Sequence, residues 1–202
     1  MPQKVDFGRY LQTVALKLSI DIIVELLTEI INVSLVSGCF PDTPKIAKVL
    51  PIFKTGDQEK LENYRPISIL PAFSKLYEKV FYSRIYKYLT NHNLLYNNQF
   101  GFRRNHSTSM VLIQLVNNIA SAMDNRESAA GVSLELSKAF DTIDHHILLN
   151  KLDHSGVRGH SFNWVSSYLT NKKQLVQFTP AGSQPELIVC GIFRTSFVYY
   201  LY

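Results

Sequence analysis

The chain has 202 residues, of which 46% are hydrophobic and 12% aromatic, and its formal net charge is +5 with a pI near 9.1. This composition excludes a disordered polymer and is typical of a folded protein with one sizeable core, or a core and a smaller lobe. The two cysteines lie far apart and form no CxxC pair. That spacing argues against a zinc site or a disulfide framework and favours a reducing, intracellular compartment, either nucleus or cytoplasm.

The positive charge is concentrated in one segment. Residues 41–104 contain 11 Lys and Arg against 5 Asp and Glu, whereas the remainder contains 10 against 11. A local excess of this kind suits a polyanionic partner, although a solvated basic face explains it equally well.

The first predicted element is a long helix from Leu11 to Val36, which ends before Gly38 and Pro41. Polar residues recur along it at four-residue spacing: Lys17, Asp21, Glu25 and Glu29. This stripe predicts an amphipathic helix that packs on a core, and it argues against a membrane span.

A β-hairpin is predicted next. The apolar run of residues 46–52 ends at Lys54, a Thr-Gly-Asp turn follows, and a second strand-like run covers residues 64–70. The polar connection of about seven to nine residues is long for a hairpin. Pro51 and Pro66 are expected on a sheet edge or at bulges.

Helices dominate the remainder of the chain. Residues 71–89 form a predicted helix with an apolar face and a basic face, the latter containing Lys75, Lys79, Arg84 and Lys87. Ser107 or Thr108 is well placed to cap a third helix. The later predicted elements are helices over 110–123, 144–154 and 162–169, and strands over 131–136 and 174–178.

The stretch GVSLELSKAFDTIDHH, residues 131–146, carries the most chemistry. Glu135 interrupts an apolar run, and a carboxylate inside a buried strand is costly unless it is paired or binds a cation. Magnesium prefers such oxygen ligands, so Glu135 is a candidate metal ligand, and a surface residue on an edge strand is the alternative. Asp141 and Asp144 are better explained as helix-capping acids. The adjacent His145 and His146 lack the spacing of a zinc pair.

Five blocks then occur in order: KVLPIFKTGD, NYRPISIL with SKLYEKV, NNQFGFRRNHST, SLELSKAFDTIDHHILLNKL and SYLTNKKQLV. Together they resemble the reverse transcriptase domain of non-LTR (LINE-type) retrotransposons over about residues 25–191. The resemblance implies an α+β, partial right-hand polymerase fold, with helical fingers that carry a β-hairpin and an incomplete palm sheet. The domains expected are a fingers-like region with an N-terminal helix (1–125), a partial palm (126–191) and a divergent aromatic tail (192–202).

Such enzymes extend a DNA primer on an RNA template with two magnesium ions. The resemblance therefore implies Mg²⁺ as cofactor, and as partners an RNA template, a DNA primer and deoxynucleotide triphosphates, with no membrane. The catalytic and metal-binding position of the family corresponds to Glu135.

Other roles follow from the same match. Lys54 and Arg65 match positions that approach the triphosphate of the incoming nucleotide, which a guanidinium suits well; solvated strand ends are the alternative. Phe140 matches the aromatic gate that crowds the sugar 2′ position. Template or backbone contact is implied for the residues that match the QFGFR block: Gln99, Gly101 and Arg103.

Three departures from the family pattern predict inactivity. The family has aspartate where this chain has Glu135, and the extra methylene moves the carboxylate by about 1 Å, enough to cost roughly a hundredfold in rate. The expected GVPQGS block is replaced by FRTSFVYYLY after Ile192, and no Asp or Glu follows Glu186. We therefore expect a fragment, truncated after the first palm motif, that is inactive as this chain. The alternatives are a non-enzymatic remnant that binds RNA or RNA–DNA hybrid, and a product without a stable fold.

Overall fold

The computed structural model describes residues 14, 18–135, 143–178 and 186–190. Two compact units lie within the chain, one within residues 1–81 and 144–194 and the other within residues 82–143 and 195–202. The described α-helices are α1 (Ile20–Ser37), α2 (Ala72–Asn91), α3 (Thr108–Asp124), α4 (His145–His154) and α5 (His160–Leu169). The described strands are β1 (Ile46–Phe53), β2 (Tyr64–Ile69), β3 (Lys173–Phe178) and β4 (Glu186–Cys190).

The four strands form one mixed sheet in the order β2-β1-β3-β4. β1 pairs antiparallel with β2 and parallel with β3, and β3 pairs antiparallel with β4. The parallel pair begins where Ile46 lies opposite Lys173. The predicted mixture of helices with a hairpin-bearing sheet is confirmed, and so is the strand predicted over residues 174–178.

The two prolines of the hairpin lie opposite each other, Pro51 against Pro66. The Lys54 N–H donates to the Asn63 carbonyl oxygen at 2.8 Å, so by antiparallel alternation the proline pair occupies a position where neither residue bonds to the other. β2 is an edge strand, and the ladder between β1 and β3 ends at Val49. Neither proline therefore interrupts a ladder hydrogen bond, as expected for proline in a sheet.

Helix α1 ends as predicted but packs differently. Gly38 follows it in the left-handed conformation, with φ of 70°. Only Ser34 among its residues is buried, where it accepts a hydrogen bond from Trp164 Nε1 at 3.0 Å, while apolar side chains such as Ile22 and Val36 are exposed. The prediction that this helix packs on a core therefore holds near its C-terminal end, around Ser34, but not for its exposed apolar side chains. In the part of the chain that the structure describes, no helix is long and apolar enough to cross a membrane.

The core of the first unit is aromatic. The Phe40 ring makes edge-on contacts with three other rings, at centroid distances between 4.9 and 5.3 Å. Trp164 stacks on Phe81 at 4.2 Å and lies parallel to Tyr168 at 5.6 Å. Rings bury large apolar areas, and edge-on and offset geometries add to that burial. This cluster joins residues from α2 and α5 to the segment that precedes β1: Tyr77, Phe81, Trp164, Tyr168 and Phe40.

Two predicted helix starts are confirmed. Ser107 Oγ accepts a hydrogen bond from the Met110 N–H at 3.4 Å at the beginning of α3. Asp144 Oδ1 accepts from the His146 N–H at 2.7 Å at the beginning of α4. Both side chains satisfy backbone donors that a helix leaves unpaired in its first turn. Asp144 is therefore a capping residue, as the sequence predicts.

We predict that Gly38→Ala lowers the free energy of unfolding by about 2 kcal/mol or more, measured by urea denaturation. The left-handed backbone disfavours a side chain, and a Cβ there would lie 3.0 Å from Asn163 Cβ and 3.1 Å from the His160 carbonyl oxygen. Gly101→Ala is the control, because Gly101 does not have a positive φ and no atom lies within 4 Å of its added Cβ. An equal loss in Gly101→Ala would show that the left-handed backbone and the close contacts at Gly38 are unimportant.

Candidate functional site

Lys54 and Arg65 lie on one face of the β1–β2 hairpin, at its loop end. Ile52 is paired with Arg65, and paired residues of an antiparallel ladder share a face. Lys54, two residues after Ile52, returns to that face as a diagonal neighbour of Arg65, for which the spacing is about 7–8 Å. Both side chains are exposed. The hairpin thus presents an ammonium and a guanidinium side by side.

The loop that joins the two strands is ordered by its own hydrogen bonds. Asn63 Nδ2 donates to the Asp57 carbonyl oxygen at 2.8 Å, and Tyr64 Oη donates to the Gln58 carbonyl oxygen at 2.9 Å. Gly56 has φ of 97°, and a Cβ there would lie 2.8 Å from Asn63 Nδ2. Glycine is therefore required at this turn, and the loop holds the cationic pair on a defined support.

The QFGFR block forms a loop in the second unit that closes on itself. Arg103 Nη1 donates to the carbonyl oxygens of Tyr96, at 2.9 Å, and Asn97, at 3.4 Å. Gln99 Nε2 donates to the Gly101 carbonyl oxygen at 3.3 Å. The structure therefore gathers Gln99, Gly101 and Arg103 in one loop, whereas Lys54 and Arg65 belong to the other unit.

Glu135 is exposed and, like residues 131–134, is not part of a regular element. The buried strand predicted over residues 131–136 is wrong for residues 131–135, since Val132 and Leu134 are each 86% exposed. The physical reason is that an extended segment needs a ladder partner, and the described sheet pairs none of its four strands with these residues. Phe140 and Asp141 fall within residues 136–142, outside the described part of the chain.

The described residues do not fit a magnesium site. Within residues 18–135, 143–178 and 186–190, no three His, Cys, Asp or Glu side chains gather closely enough to hold a metal ion. Glu135 itself is exposed. One exposed carboxylate supplies only part of the octahedral ligand set that magnesium requires.

Comparison with known proteins identifies the family. The model of the family described as "Reverse transcriptase (RNA-dependent DNA polymerase)" matches residues 52–190, a span that includes the hairpin end, the QFGFR loop and α5. The chain belongs to the reverse transcriptase family. This family match, together with curated relatives from mobile elements, confirms the resemblance to the reverse transcriptases of non-LTR elements.

Two curated relatives come from Drosophila melanogaster. The chain is 32% identical over 154 residues to a probable RNA-directed DNA polymerase from transposon BS, a match that covers 76% of this chain and 17% of the relative. It is 36% identical over 128 residues to the RNA-directed DNA polymerase from mobile element jockey, covering 63% of this chain and 14% of the relative. The chain thus spans less than a fifth of the length of these relatives.

This member of the reverse transcriptase family also contains a buried polar cluster that the sequence does not predict. Lys172 lies just before β3 and is 2% exposed, with its Nζ 3.1 Å from the centroid of the Tyr168 ring. The Tyr168 hydroxyl donates to the carboxylate of Glu78, which is itself buried on α2. Burial lowers the pKa of Lys172 to about 6, because it penalises the charged amine, while the carboxylate of Glu78 opposes the shift.

A second buried lysine lies beside the first. Lys45 immediately precedes β1, as Lys172 precedes β3, and Ile46 and Lys173 are paired. Lys45 Nζ contacts Asp42 Oδ1 at 2.7 Å, and this hydrogen-bonded ion pair lowers the pKa of Asp42. Burial lowers the pKa of the nearby His145, and the charge of Lys172 adds to that shift. These charges meet where the parallel strands begin.

We predict that the free energy of unfolding of the wild-type chain rises with pH between about 6 and 10.5, in part because the unfolded state binds a proton at Lys172 that the folded state does not. A single proton contributes at most about 1.4 kcal/mol per pH unit. Lys172→Met should flatten the slope in urea titrations at several pH values. Asp42, Lys45, Glu78 and His145 remain in both proteins, so only the part of their contributions that depends on Lys172 changes with it. Lys173→Met, at the exposed neighbouring position, is the control and should keep the wild-type slope; an unchanged slope in Lys172→Met contradicts the prediction.

Proposed function

We propose that this chain is the nucleotide- and template-binding part of a reverse transcriptase, and that the 202-residue polypeptide alone binds these ligands without polymerising. The observation that carries the proposal is the placement of Lys54 and Arg65 on one exposed face of an ordered hairpin. A guanidinium binds phosphate oxygens through two parallel hydrogen bonds, and an ammonium adds a compact charge. The triphosphate of a deoxynucleotide offers both groups their preferred partner.

Several family roles enter this proposal as expectations. RNA template, DNA primer and deoxynucleotide triphosphates are its partners, and Phe140 is its gate against the 2′-hydroxyl. The names of the relatives, RNA-directed DNA polymerases, support the choice of ligands. The arrangement as helical fingers (1–125), partial palm (126–191) and tail (192–202) within a right-hand polymerase also belongs to the proposal. Magnesium would enter through Glu135, and no step is assigned to it, since the described residues do not fit the ion.

We predict that Lys54→Ala combined with Arg65→Ala weakens binding of a deoxynucleotide triphosphate by tenfold or more. Each hydrogen bond to a charged group is worth about 1.5–3 kcal/mol, so the loss of two such groups should exceed a factor of ten. Isothermal titration with dTTP in the absence of divalent metal measures the change. Lys60→Ala is the matched control, because Lys60 is an exposed lysine of the same loop and should bind as wild type. Equal weakening in the control would reduce the site to general charge attraction.

The proposed inactivity rests on Glu135. This residue stands where the family has aspartate, it is exposed, and no three His, Cys, Asp or Glu among the described residues gather to hold a metal ion. Two-metal nucleotide transfer needs several carboxylates that clamp both ions at near-ideal distances. A single, longer carboxylate supplies neither the number of ligands nor the position.

We expect the purified chain to add no deoxynucleotide to an oligo(dT) primer annealed to a poly(rA) template, with either magnesium or manganese present. Glu135→Asp, which restores the family's residue, should remain inactive as well, because a single carboxylate is still supplied. Templated incorporation that disappears in the Lys54→Ala, Arg65→Ala double variant would overturn the proposed inactivity. The double variant also controls for contaminating polymerase, whose activity it would not remove.

The second candidate function is a non-enzymatic remnant that binds RNA or RNA–DNA hybrid. The basic segment of residues 41–104 favours it, because 11 Lys and Arg face only 5 Asp and Glu there. This candidate predicts salt-dependent RNA binding with no specific affinity for deoxynucleotide triphosphates. The titration with dTTP therefore separates the two candidates, since only the first requires Lys54 and Arg65 to bind nucleotide.

A further inference from the structure

Two tyrosines, one turn apart on α2, hold a single arginine of the loop that follows. The backbone N–H of Arg104 donates to Tyr86 Oη at 3.1 Å. The guanidinium carbon of Arg104 lies 5.0 Å from the centroid of the Tyr86 ring and 5.8 Å from that of Tyr82. Tyr86 thus fixes both the backbone and the side chain of Arg104, and Tyr82 extends the aromatic support.

The preceding arginine is held in the opposite way. Arg103 is half-buried, and its Nη1 is used by two carbonyl oxygens of its own loop, whereas Arg104 is exposed. The residues on either side of this pair, Phe102 and Asn105, have φ of 56° and 60°, a left-handed conformation uncommon outside glycine. This backbone places two neighbouring guanidinium groups in different environments, one inside the loop and one on its surface.

The charge around the loop favours an anionic ligand. Residues 82–123 contain four Lys and Arg and no Asp or Glu, so no carboxylate from this stretch competes for the guanidinium. A guanidinium that lies over an aromatic face keeps the N–H groups at its edge for a phosphate, which it can bind through two hydrogen bonds. The aromatic rings are covered by Arg104, which disfavours base stacking on them and favours a contact to the backbone of the nucleic acid.

We propose that Arg104, oriented by Tyr82 and Tyr86, binds the phosphodiester backbone of single-stranded RNA, and that Arg103 instead closes the loop. This inference rests on the proposed template-binding function and refines it, because the resemblance assigns the contact to Arg103. Arg104 touches the RNA, and the two tyrosines are positioning residues that act through Arg104.

The test is the salt dependence of binding to a fluorescein-labelled oligouridylate, followed by anisotropy with the full 202-residue chain. Each phosphate contact to a single strand contributes roughly 0.7 to the slope of log affinity against log salt concentration. Arg104→Gln should therefore weaken binding and reduce the slope by roughly 0.7, and Arg104→Lys should keep the slope. Tyr86→Leu should weaken binding while keeping the slope, since the charge remains but loses its orientation.

Arg103→Gln is the matched control, with the same change of charge at the adjacent position, and its slope should equal that of wild type. A reduced slope in Arg103→Gln, or an unchanged slope in Arg104→Gln, overturns the inference. Circular dichroism identifies a variant that fails to fold. Phenylglyoxal modification of the wild-type chain then decides the question by mass spectrometry, because RNA should protect Arg104 more than Arg103; equal or reversed protection overturns the inference.

The outcomes also separate this inference from the function on which it rests. Binding of RNA by wild type with the slope change at Arg103 contradicts only the assignment of Arg104. An absence of RNA binding by the folded wild-type chain contradicts both the inference and the proposed binding of template. Nucleotide binding through Lys54 and Arg65 is measured separately with dTTP and is unaffected by either result.

Discussion

Two lysine side chains are buried where the parallel pair of strands begins, and the packing of the first unit depends on the polar groups that contact them. Lys45 precedes β1 and contacts Asp42. Lys172 precedes β3 and lies over the ring of Tyr168, whose hydroxyl donates a hydrogen bond to the Glu78 carboxylate. Burial of an amine is unfavourable, and the two lysines meet that cost differently: Lys45 contacts the carboxylate of Asp42, whereas Lys172 has its pKa lowered to about 6 and lies against the Tyr168 ring. Because Glu78 comes from α2 and Tyr168 from α5, this pairing also joins two helices to the sheet.

The proposed nucleotide site lies at the other end of the same strands. β1 pairs with β3 only as far as Val49 and then continues beside β2 alone, up to the loop that carries Lys54. The cationic face is therefore borne by a two-stranded ribbon, and two strands by themselves are only marginally stable. The ribbon gains its support from the wider sheet, whose parallel pair starts between the buried lysines. The pairing of β1 with β3 therefore both supports the proposed site and buries the two lysines.

Local patterns predict the elements of this fold, whereas pairing and burial depend on distant residues. The caps at Ser107 and Asp144 and the left-handed end at Gly38 are local chemistry, and all three are confirmed. The apolar run around Glu135 has the composition of a strand, but a strand also needs a partner, which composition does not specify. From the sequence, Glu78 would be expected to be an exposed charge on a helix. It is buried instead, because Tyr168 on another helix packs against it and donates to its carboxylate. The polar cluster is therefore invisible to helical periodicity, which assumes that buried faces are apolar.

The same limit applies inside a motif. Alignment with the family identifies positions, and at the QFGFR block it identifies Arg103, but the atoms that meet a ligand are decided by what else those atoms bind. Arg103 Nη1 donates to carbonyl oxygens of its own loop. Arg104 is supported by Tyr86, whose hydroxyl oxygen accepts a hydrogen bond from the Arg104 backbone N–H. Arg103 and Arg104 thus differ in the N–H donors that a ligand can reach. The left-handed backbone at Phe102 and Asn105 directs the two side chains into different surroundings. The local backbone and the hydrogen-bonding partners, rather than the residue type, determine which arginine can serve a phosphate.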